Sequence, residues 1–293
     1  MDKRTAEKYR EAGRIAKKAL EKASSMIEEG VKLEKVADKT ETIIKDEGAQ
    51  PAFPVNLSLN DEAAHYTPER GDKKVFSKND LVKVDVGAHV DGYIGDTATT
   101  VDLGKNSKLV EAAEMAVENC LEAAKPGVFL GKLGEIAENT IRKKRFKTVQ
   151  NLGGHSLGKY EQHAGTRIPC IKTDTKEELE VGRAYAIECF ATNGSGKVIE
   201  GKSGNIYKYH GGNVRDRTSR KILKVVKDNY RTLPFTTRWL RIPKPRMRLA
   251  MSQMVQKGVI KDYGILKEKD GGQVTQHEHT LIVTEDGIEI TTK

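Results

Sequence analysis

The sequence has no long apolar stretch. None of its 293 residues belongs to a run approaching the roughly 18 consecutive apolar residues of a membrane-spanning helix. We therefore expect no transmembrane helix. The first eight residues, Met1-Asp-Lys-Arg-Thr-Ala-Glu-Lys8, lack the apolar core of a secretory signal peptide and predict the cap and first turn of a helix. We found neither an internal repeat nor a low-complexity tract.

Cysteine is also scarce. Three cysteines, Cys120, Cys170 and Cys189, are widely spaced and odd in number. This pattern argues against a disulfide framework and against a zinc knuckle, both of which need paired cysteines at short spacing. It suits a reducing compartment, so we expect a cytoplasmic protein.

Charge is plentiful and unevenly distributed. The chain carries a net charge of +9, but the region between Lys197 and Gly272 has 19 Lys and Arg against 6 Asp and Glu, a local net charge of +13. The rest of the chain is therefore mildly acidic. A basic region on such a body predicts a polyanionic neighbour, most simply RNA, although a solvated helical face would have the same composition.

Hydrophobic periodicity predicts alternating groups of helices and strands. Helical stripes occupy residues 3–29, 33–44, 110–124 and about 132–145, and strand patterns occupy 81–101, 184–191, 276–284 and 288–292. This order favours an α+β fold with a mostly antiparallel sheet. We expect one domain formed by residues 1–195 and 273–293, interrupted by a basic helical insert at 196–272.

A predicted hairpin carries two aspartates. Alternating valines around Lys83 and Asp85 predict a half-buried strand, and a two-residue loop at Val90-Asp91 followed by Gly92 would close the hairpin. With that loop Asp85 would face Asp96, with Cβ atoms roughly 4.5–5.5 Å apart. A turn one residue later would make the pair diagonal, still on one face. Facing like charges destabilise a hairpin, so a divalent metal bound between the two carboxylates is the obvious candidate for stabilising the pair. The alternative is that both aspartates are solvated surface charges.

Three later residues have the chemistry of metal ligands. His155 lies between glycines, Glu188 interrupts an apolar strand, and Glu278 begins one. A charged residue inside an apolar strand is rarely buried unless it is paired or bound to a metal. Taken separately, each could instead be a loop histidine or a strand-edge charge.

Taken together, these segments resemble the methionine aminopeptidases. The resemblance covers essentially the whole chain, and the segment at His65 and the long insert resemble the type II branch as found in archaea. The matching segments are Val84-Asp85-Val86-Gly87, Gly95-Asp96-Thr97-Ala98, Gly153-Gly154-His155-Ser156, His163-Ala164-Gly165, Ala186-Ile187-Glu188-Cys189, Glu278-His279-Thr280 and Ala63-Ala64-His65-Tyr66-Thr67-Pro68.

The resemblance implies a pita-bread (creatinase/aminopeptidase) fold, an antiparallel sheet backed by helices, with two divalent metal ions on its concave face. It implies that Asp85 chelates one ion, that His155 and Glu188 bind the other, and that Asp96 and Glu278 bridge them. Four carboxylates carry a charge of −4, which two divalent ions balance. Such ligands accept Mn, Fe, Co or Zn, so the identity of the metal stays open.

The resemblance also implies the hydrolysis of a peptide bond by a hydroxide held between the metals. Glu188 would shuttle the proton, and His65 and His163 would hydrogen-bond the peptide and stabilise the oxyanion. Phe53 would line the methionine pocket, where ordinary core packing is the alternative. Gln162 stands where the family usually has an apolar residue facing that pocket.

His277 likewise stands where an aromatic residue is common in the family. The differences at Gln162 and His277 both affect the expected shape and polarity of the pocket. Strand alternation places Glu278 on the opposite face from His277 and His279, which disfavours a contact of these histidines with the same metals.

The expected function is removal of the N-terminal methionine from nascent polypeptides when the second residue is small. We expect a monomer without membrane contact, and the basic insert suggests docking on ribosomal RNA. Two alternatives are an Xaa-Pro peptidase on the same fold and a non-catalytic relative that binds the ribosome or RNA. The five ligand residues argue against the second alternative.

Overall fold

The computed structural model describes residues 1–293, the whole chain. None of its helices is both long and apolar enough to cross a bilayer. One short 3₁₀ helix spans Thr237–Trp239. The six α-helices are α1 (Lys3–Ser25), α2 (Leu33–Asp46), α3 (Ser107–Ala123), α4 (Leu130–Lys143), α5 (Arg217–Asn229) and α6 (Lys244–Gln256).

The strands form two sheets. They are β1 (Gln50–Pro51), β2 (Asn56–Leu59), β3 (Glu62–Ala64), β4 (Leu81–Val90), β5 (Tyr93–Asp102), β6 (Lys147–Thr148), β7 (Gly153–Leu157), β8 (Arg167–Pro169), β9 (Ala184–Thr192), β10 (Val198–Tyr209), β11 (Phe235–Thr236), β12 (Ile260–Glu268), β13 (Val274–Val283) and β14 (Ile288–Ile290).

The larger sheet has ten strands, all paired antiparallel. Its main order is β1-β4-β5-β13-β9-β7-β8, with β2, β6 and β14 added beside β4, β9 and β13. The late strand β13 thus lies at its centre, between β5 from the first half of the chain and β9 from the second. The predicted α+β fold with an antiparallel sheet is confirmed.

Four helices cover one face of this sheet. Asp2 is the N-cap of α1, and its side chain accepts a hydrogen bond from the Thr5 backbone N–H at 2.9 Å. Two apolar clusters hold the layer together, one joining α1 and α2 to β2 and β4, the other joining α3 and α4 to β9 and β13. The opposite face is left free for the second sheet and for a site between the two.

The insert is not purely helical, which corrects the expectation. It contains α5 and α6, but two long strands, β10 and β12, flank them and form a second sheet of order β11-β10-β12-β3. Because β3 precedes the insert by more than a hundred residues, this pairing is non-local. Residues 199–203, in the first half of β10, are also exposed, so this part lacks the alternation by which strands are found in a sequence.

Two buried or half-buried carboxylates attach the insert to the rest of the chain. Glu268 accepts hydrogen bonds from the backbone N–H groups of Ser195 (2.6 Å), Gly196 (3.1 Å), Asp270 (2.8 Å) and Gly272 (3.0 Å), so it joins the two ends of the insert. Burial opposes its charge, but the hydrogen bonds from Ser195 and from the backbone lower the pKa of Glu268 to about 2.

The second attachment is a buried ion pair between the insert and α2. Arg238 donates to Glu41 through both terminal nitrogens, at 2.6 and 2.7 Å, and also to Asp38 at 2.6 Å. Trp239 Nε1 donates to Glu41 Oε2 at 2.6 Å. Arg238 therefore has a structural role and is not part of an exposed basic face.

Candidate active site

Five adjacent strands each bring one candidate ligand to the same face of the large sheet. The central strands follow the order β4-β5-β13-β9-β7. In that order the side chains are those of Asp85, Asp96, Glu278, Glu188 and His155.

The strand register explains why these side chains converge. Asp85 pairs with Ala98, Ala98 with Glu278, and Glu278 with Glu188, so these four residues form one row across the sheet. Residues directly opposite in antiparallel strands share a face. Asp96 shares that face with Ala98, two residues away. The small Ala98 leaves space in the middle of the row, into which the carboxylates on either side can reach.

The hairpin turn lies one residue later than Val90-Asp91. Val90 pairs with Tyr93, and the two loop residues are Asp91 and Gly92, with φ of 51° and 91°. Positive φ at both central positions is typical of a type I′ turn, which Asp-Gly adopts readily and a β-branched valine does not. Asp85 and Asp96 are consequently diagonal neighbours rather than facing ones, and they still share a face.

The ligand atoms form two overlapping groups. Those of Asp96, His155 and Glu278 lie within 4.8 Å of one another, as do those of Asp85, Glu188 and Glu278. Glu278 belongs to both groups, as a bridging ligand would. Glu188 groups with Asp85, whereas the resemblance assigned it to the same ion as His155. The division of ligands between ions therefore stays a prediction.

The electrostatics of the cluster fit bound cations. No lysine or arginine forms a salt bridge with any of the four carboxylates, and Asp85 Oδ1, Asp96 Oδ1 and His155 Nδ1 are buried without a hydrogen-bond partner. Buried polar atoms are almost always paired. Burial raises the pKa of all four carboxyl groups, to about 7 for Asp85, and mutual repulsion raises the pKa of the other three further. Divalent ions would supply the missing partners and relieve this repulsion.

His155 is suited to metal binding because it is neutral. Burial lowers its pKa to about 4. The neutral ring therefore offers a lone pair, and its Nε2 lies 3.9 Å from Asp96 Oδ2.

A cavity of about 190 Å³ lies above the cluster, between the two sheets. The five candidate ligands line it, and so do the four residues predicted to bind substrate, Phe53, His65, Gln162 and His163. The second sheet contributes Ala64, Ile206, Tyr263 and Leu266. Larger cavities lie elsewhere, among them one beside α6 and one beside the β4–β5 hairpin.

The two histidines predicted to bind substrate are held differently. His163 lies beside the metal-ligand cluster, its ring centroid 4.2 Å from that of His155, and burial lowers its pKa to about 2. His65 has a φ of 67°, an uncommon conformation for a residue other than glycine. Its Nδ1 is 3.3 Å from the Gly264 carbonyl, and its ring meets Tyr263 edge-on at 5.4 Å. Burial also lowers the pKa of His65.

Phe53 and Gln162 occupy the cavity wall. The ring of Phe53 lies against Gly87, where an added Cβ would stand 2.2 Å from a ring carbon, so a glycine is required there. Gln162 Nε2 donates to Asp96 Oδ2 at 3.3 Å, which adds a polar contact to a ligand. His277 does not line the cavity, so its difference from the family does not alter the pocket wall.

Gln276 was missed by the sequence analysis. Its Nε2 donates to Glu188 Oε1 at 2.7 Å and lies 3.4 Å from Asp85 Oδ2. It therefore orients two candidate ligands at once. Its position, two residues before Glu278 in a strand, could have identified it, because such residues share a face.

The comparisons with known proteins agree with this geometry. Residues 7–285 match the model of metallopeptidase family M24. The chain belongs to this family. The methionine aminopeptidase of Archaeoglobus fulgidus is 46% identical over 294 residues, which cover 100% of each chain, and that of Methanocaldococcus jannaschii is 45% identical over 98% of each.

A solved structure of a related protein supports the same overall fold. The methionine aminopeptidase of Thermotoga maritima superimposes with a TM-score of 0.74 over 100% of this chain and 98% of its own, at 24% identity, which establishes the pita-bread fold alone. Membership of the family makes the chain a metal-dependent peptidase, and the full-length relatives place it among the methionine aminopeptidases. The two alternatives, an Xaa-Pro peptidase and a non-catalytic relative, are not favoured.

Proposed function

We propose that this chain removes the N-terminal methionine from polypeptides whose second residue is small, using two divalent metal ions. The observation that supports this most is the convergence of one candidate ligand from each of five adjacent strands on a single cavity. The cavity volume of about 190 Å³ is below the roughly 300–1,000 Å³ of pockets for drug-sized ligands. A space of this size suits one terminal residue rather than an extended peptide.

The proposed ligands are Asp85, Asp96, His155, Glu188 and Glu278. Four carboxylates balance the charge of two divalent ions, and Mn, Fe, Co and Zn all accept oxygen and imidazole ligands. When bound, such a pair of ions polarises the scissile carbonyl and lowers the pKa of a bound water.

The chain's own side chains supply the remaining steps. Glu188 lines the cavity and would accept the proton of the attacking water and then donate it to the leaving amine. His163, which stays neutral at physiological pH because its pKa is low, would donate a hydrogen bond to the carbonyl oxygen as negative charge develops there. His65 would contact the peptide beyond the scissile bond, and Phe53 would pack against the methionine side chain.

A peptide series tests the proposed specificity. We expect the metal-loaded enzyme to release methionine from Met-Ala-Ser, to act poorly on Met-Leu-Ser because of its large second residue, and to leave Ala-Pro-Ser intact. Turnover of Ala-Pro-Ser alone would contradict the proposal and would favour the Xaa-Pro peptidase.

The basic insert suggests that the enzyme meets its substrate at the ribosome. We propose that exposed cations of α5, including Arg217, Arg220 and Lys221, hold the enzyme near the ribosomal RNA at the site where nascent N-termini emerge. These three side chains form no salt bridges, whereas Lys244 and Arg248 both pair with Glu69. A predominantly electrostatic contact with RNA weakens steeply with salt.

Co-sedimentation with ribosomes tests this contact. We expect binding at low salt that is lost at high salt and is weakened by replacing Arg217, Arg220 and Lys221 with glutamine. The matched control replaces Lys105, Lys108 and Lys125, three exposed lysines of the catalytic part, and should bind as the wild type does. Absence of binding at low salt, or equal loss in both triple variants, would refute the proposed docking surface.

A further inference from the structure

A second group of metal-ligating side chains lies on the other face of the large sheet. His277 and His279 flank Glu278 on β13 and therefore point away from the cavity, toward α3. There they meet Glu118 of α3, and ligand atoms of the three residues lie within 4.8 Å of one another. The two imidazole rings are 5.1 Å apart between centroids and nearly perpendicular.

The chemistry of this cluster is that of a transition-metal site. Two imidazoles and one carboxylate are ligands that Zn²⁺ and its first-row neighbours bind well. Glu114 precedes Glu118 by four residues on α3, so the two carboxylates share one side of the helix, and both act electrostatically on His277. Glu114 is exposed and lies outside the group of atoms within 4.8 Å, so its side chain would have to turn toward the histidines to supply a fourth ligand.

The ring of His279 is already oriented for such a role. Its Nδ1 is 2.9 Å from Thr292 Oγ1, which also accepts a hydrogen bond from the Thr280 backbone N–H at 3.0 Å. A hydroxyl oxygen has two lone pairs and can accept both bonds. With Nδ1–H donating to Thr292, Nε2 keeps its lone pair for a metal. A histidine ligand fixed through its other nitrogen is the usual arrangement in metal sites.

Lys293 competes for the same carboxylate. Its Nζ forms a salt bridge with Glu118, whose side chain is 32% exposed, while that of Lys293 is 50% exposed. An ion pair between exposed side chains of this kind contributes little to stability. A divalent ion could therefore displace the lysine, and the exposure of both side chains gives it a path from solvent.

We propose that His277, His279 and Glu118, completed by Glu114, bind a divalent transition-metal ion such as Zn²⁺ at a site separate from the catalytic centre. This ion would join α3 to β13 directly behind Glu278. Because a ligand that binds only the folded state stabilises it, the site would link metal supply to the stability of the strand that carries a catalytic ligand.

Zinc stoichiometry tests the proposal. After removal of all metals, the protein is dialysed against Zn²⁺ and the bound zinc is counted by elemental analysis. We expect Glu118→Gln and His277→Phe to bind one zinc ion per chain fewer than the wild type. The matched controls Glu122→Gln, on the same helix, and His210→Phe, in the insert, should bind as many ions as the wild type.

Two further measurements separate this site from the catalytic one. Lys293→Met removes the competing ammonium and should bind the additional zinc ion several-fold more tightly than the wild type. Glu118→Gln should hydrolyse Met-Ala-Ser at the wild-type rate in saturating metal, yet gain less thermal stability from zinc. Equal zinc stoichiometry in the wild type, Glu118→Gln and His277→Phe would overturn the proposal, whatever the peptidase activity.

Discussion

Glu188 and Glu278 stand directly opposite each other on β9 and β13, with Glu278 buried and Glu188 open to the cavity. Like charges in this position destabilise a sheet. Burial and repulsion from neighbouring carboxylates, including Asp85 and Asp96, raise the pKa of both groups well above the usual range. The pair is therefore tolerated only when protonated or when cations lie beside it.

The metal-free protein should consequently lose stability as the pH rises. The folded-state pKa of each of the four carboxyl groups is raised, so the folded state binds more protons than the unfolded state. The carboxyl groups make the free energy of unfolding fall from about pH 4, where unfolded carboxyl groups ionise, but buried histidines such as His155 and His163, whose pKa is lowered, oppose this fall up to about pH 6.5. The net fall should therefore appear from about pH 7 upward, where only Lys83, with a pKa lowered to about 7, opposes the four carboxyl groups. Thermal melts of chelator-treated protein across this range measure the slope.

Added Mn²⁺ or Co²⁺ should restore stability in the upper part of that range, because the ions replace the protons. A metal-free protein whose melting temperature does not fall between pH 7 and 9 would contradict the electrostatic description of the site.

Replacing Gln276 should weaken metal binding without unfolding the chain. Gln276 orients Glu188 and Asp85 through one amide group, and removal of such a supporting hydrogen bond typically costs roughly 10–100-fold in metal affinity or activity. We expect Gln276→Ala to require correspondingly more metal for half-maximal hydrolysis of Met-Ala-Ser. The exposed Gln256→Ala is the control, and an unchanged metal requirement in Gln276→Ala would exclude an orienting role.

The convergence of these side chains could be predicted from the sequence because the candidate ligands lie in local motifs. Asp85, Asp96, His155, Glu188 and Glu278 all line one cavity as expected. The turn between the first two was placed one residue too early, although Asp91-Gly92 satisfies the positive φ of a type I′ turn and Val90 does not.

The remaining differences depend on non-local contacts. The strands β10 and β12 were missed because they pair with each other and with β3, far away in the chain. Arg238 looked like one more surface cation of a basic segment, and only its contact with Glu41 of α2 shows that it is buried. The candidate ligands were identified by their metal-binding side chains and by charges that interrupt apolar strands. Gln276 carries no charge and interrupts no apolar run, so neither criterion identified it.

His163→Ala should lower kcat by roughly 100–1,000-fold, the usual effect of removing one hydrogen-bond donor to an oxyanion. Because burial lowers the pKa of His163 to about 2, the ring is neutral throughout the working range. The variant should therefore keep the wild-type shape of the pH–rate profile at a lower level. Steady-state kinetics with Met-Ala-Ser from pH 6 to 9 measure both properties, with His210→Ala as control.

A different pH profile in His163→Ala, with little change in kcat, would contradict the assigned role. Such a result would mean that the histidine acts as a titrating acid or base and not as a neutral donor.

Arg238→Met should destabilise the fold by roughly 3–5 kcal/mol, because it leaves the Glu41 carboxylate buried without its partner. The double variant Arg238→Met with Glu41→Met should be more stable than Arg238→Met alone, since no uncompensated charge then remains. The exposed Arg241→Met should change the free energy of unfolding by no more than about 0.5 kcal/mol. Urea unfolding measures all three variants, and equal stability of Arg238→Met and Arg241→Met would show that the pair has no structural role.

The most direct test of the central claim is the kcat/KM of Asp96→Asn for Met-Ala-Ser in saturating Mn²⁺ or Co²⁺, compared with that of the wild type. Asp96 shares one group of ligand atoms with His155 and Glu278, and asparagine keeps its size while removing the charge. We predict a loss of roughly three or more orders of magnitude, with cooperative unfolding preserved. Turnover at the wild-type rate in Asp96→Asn would contradict the proposal that this carboxylate holds the catalytic metals.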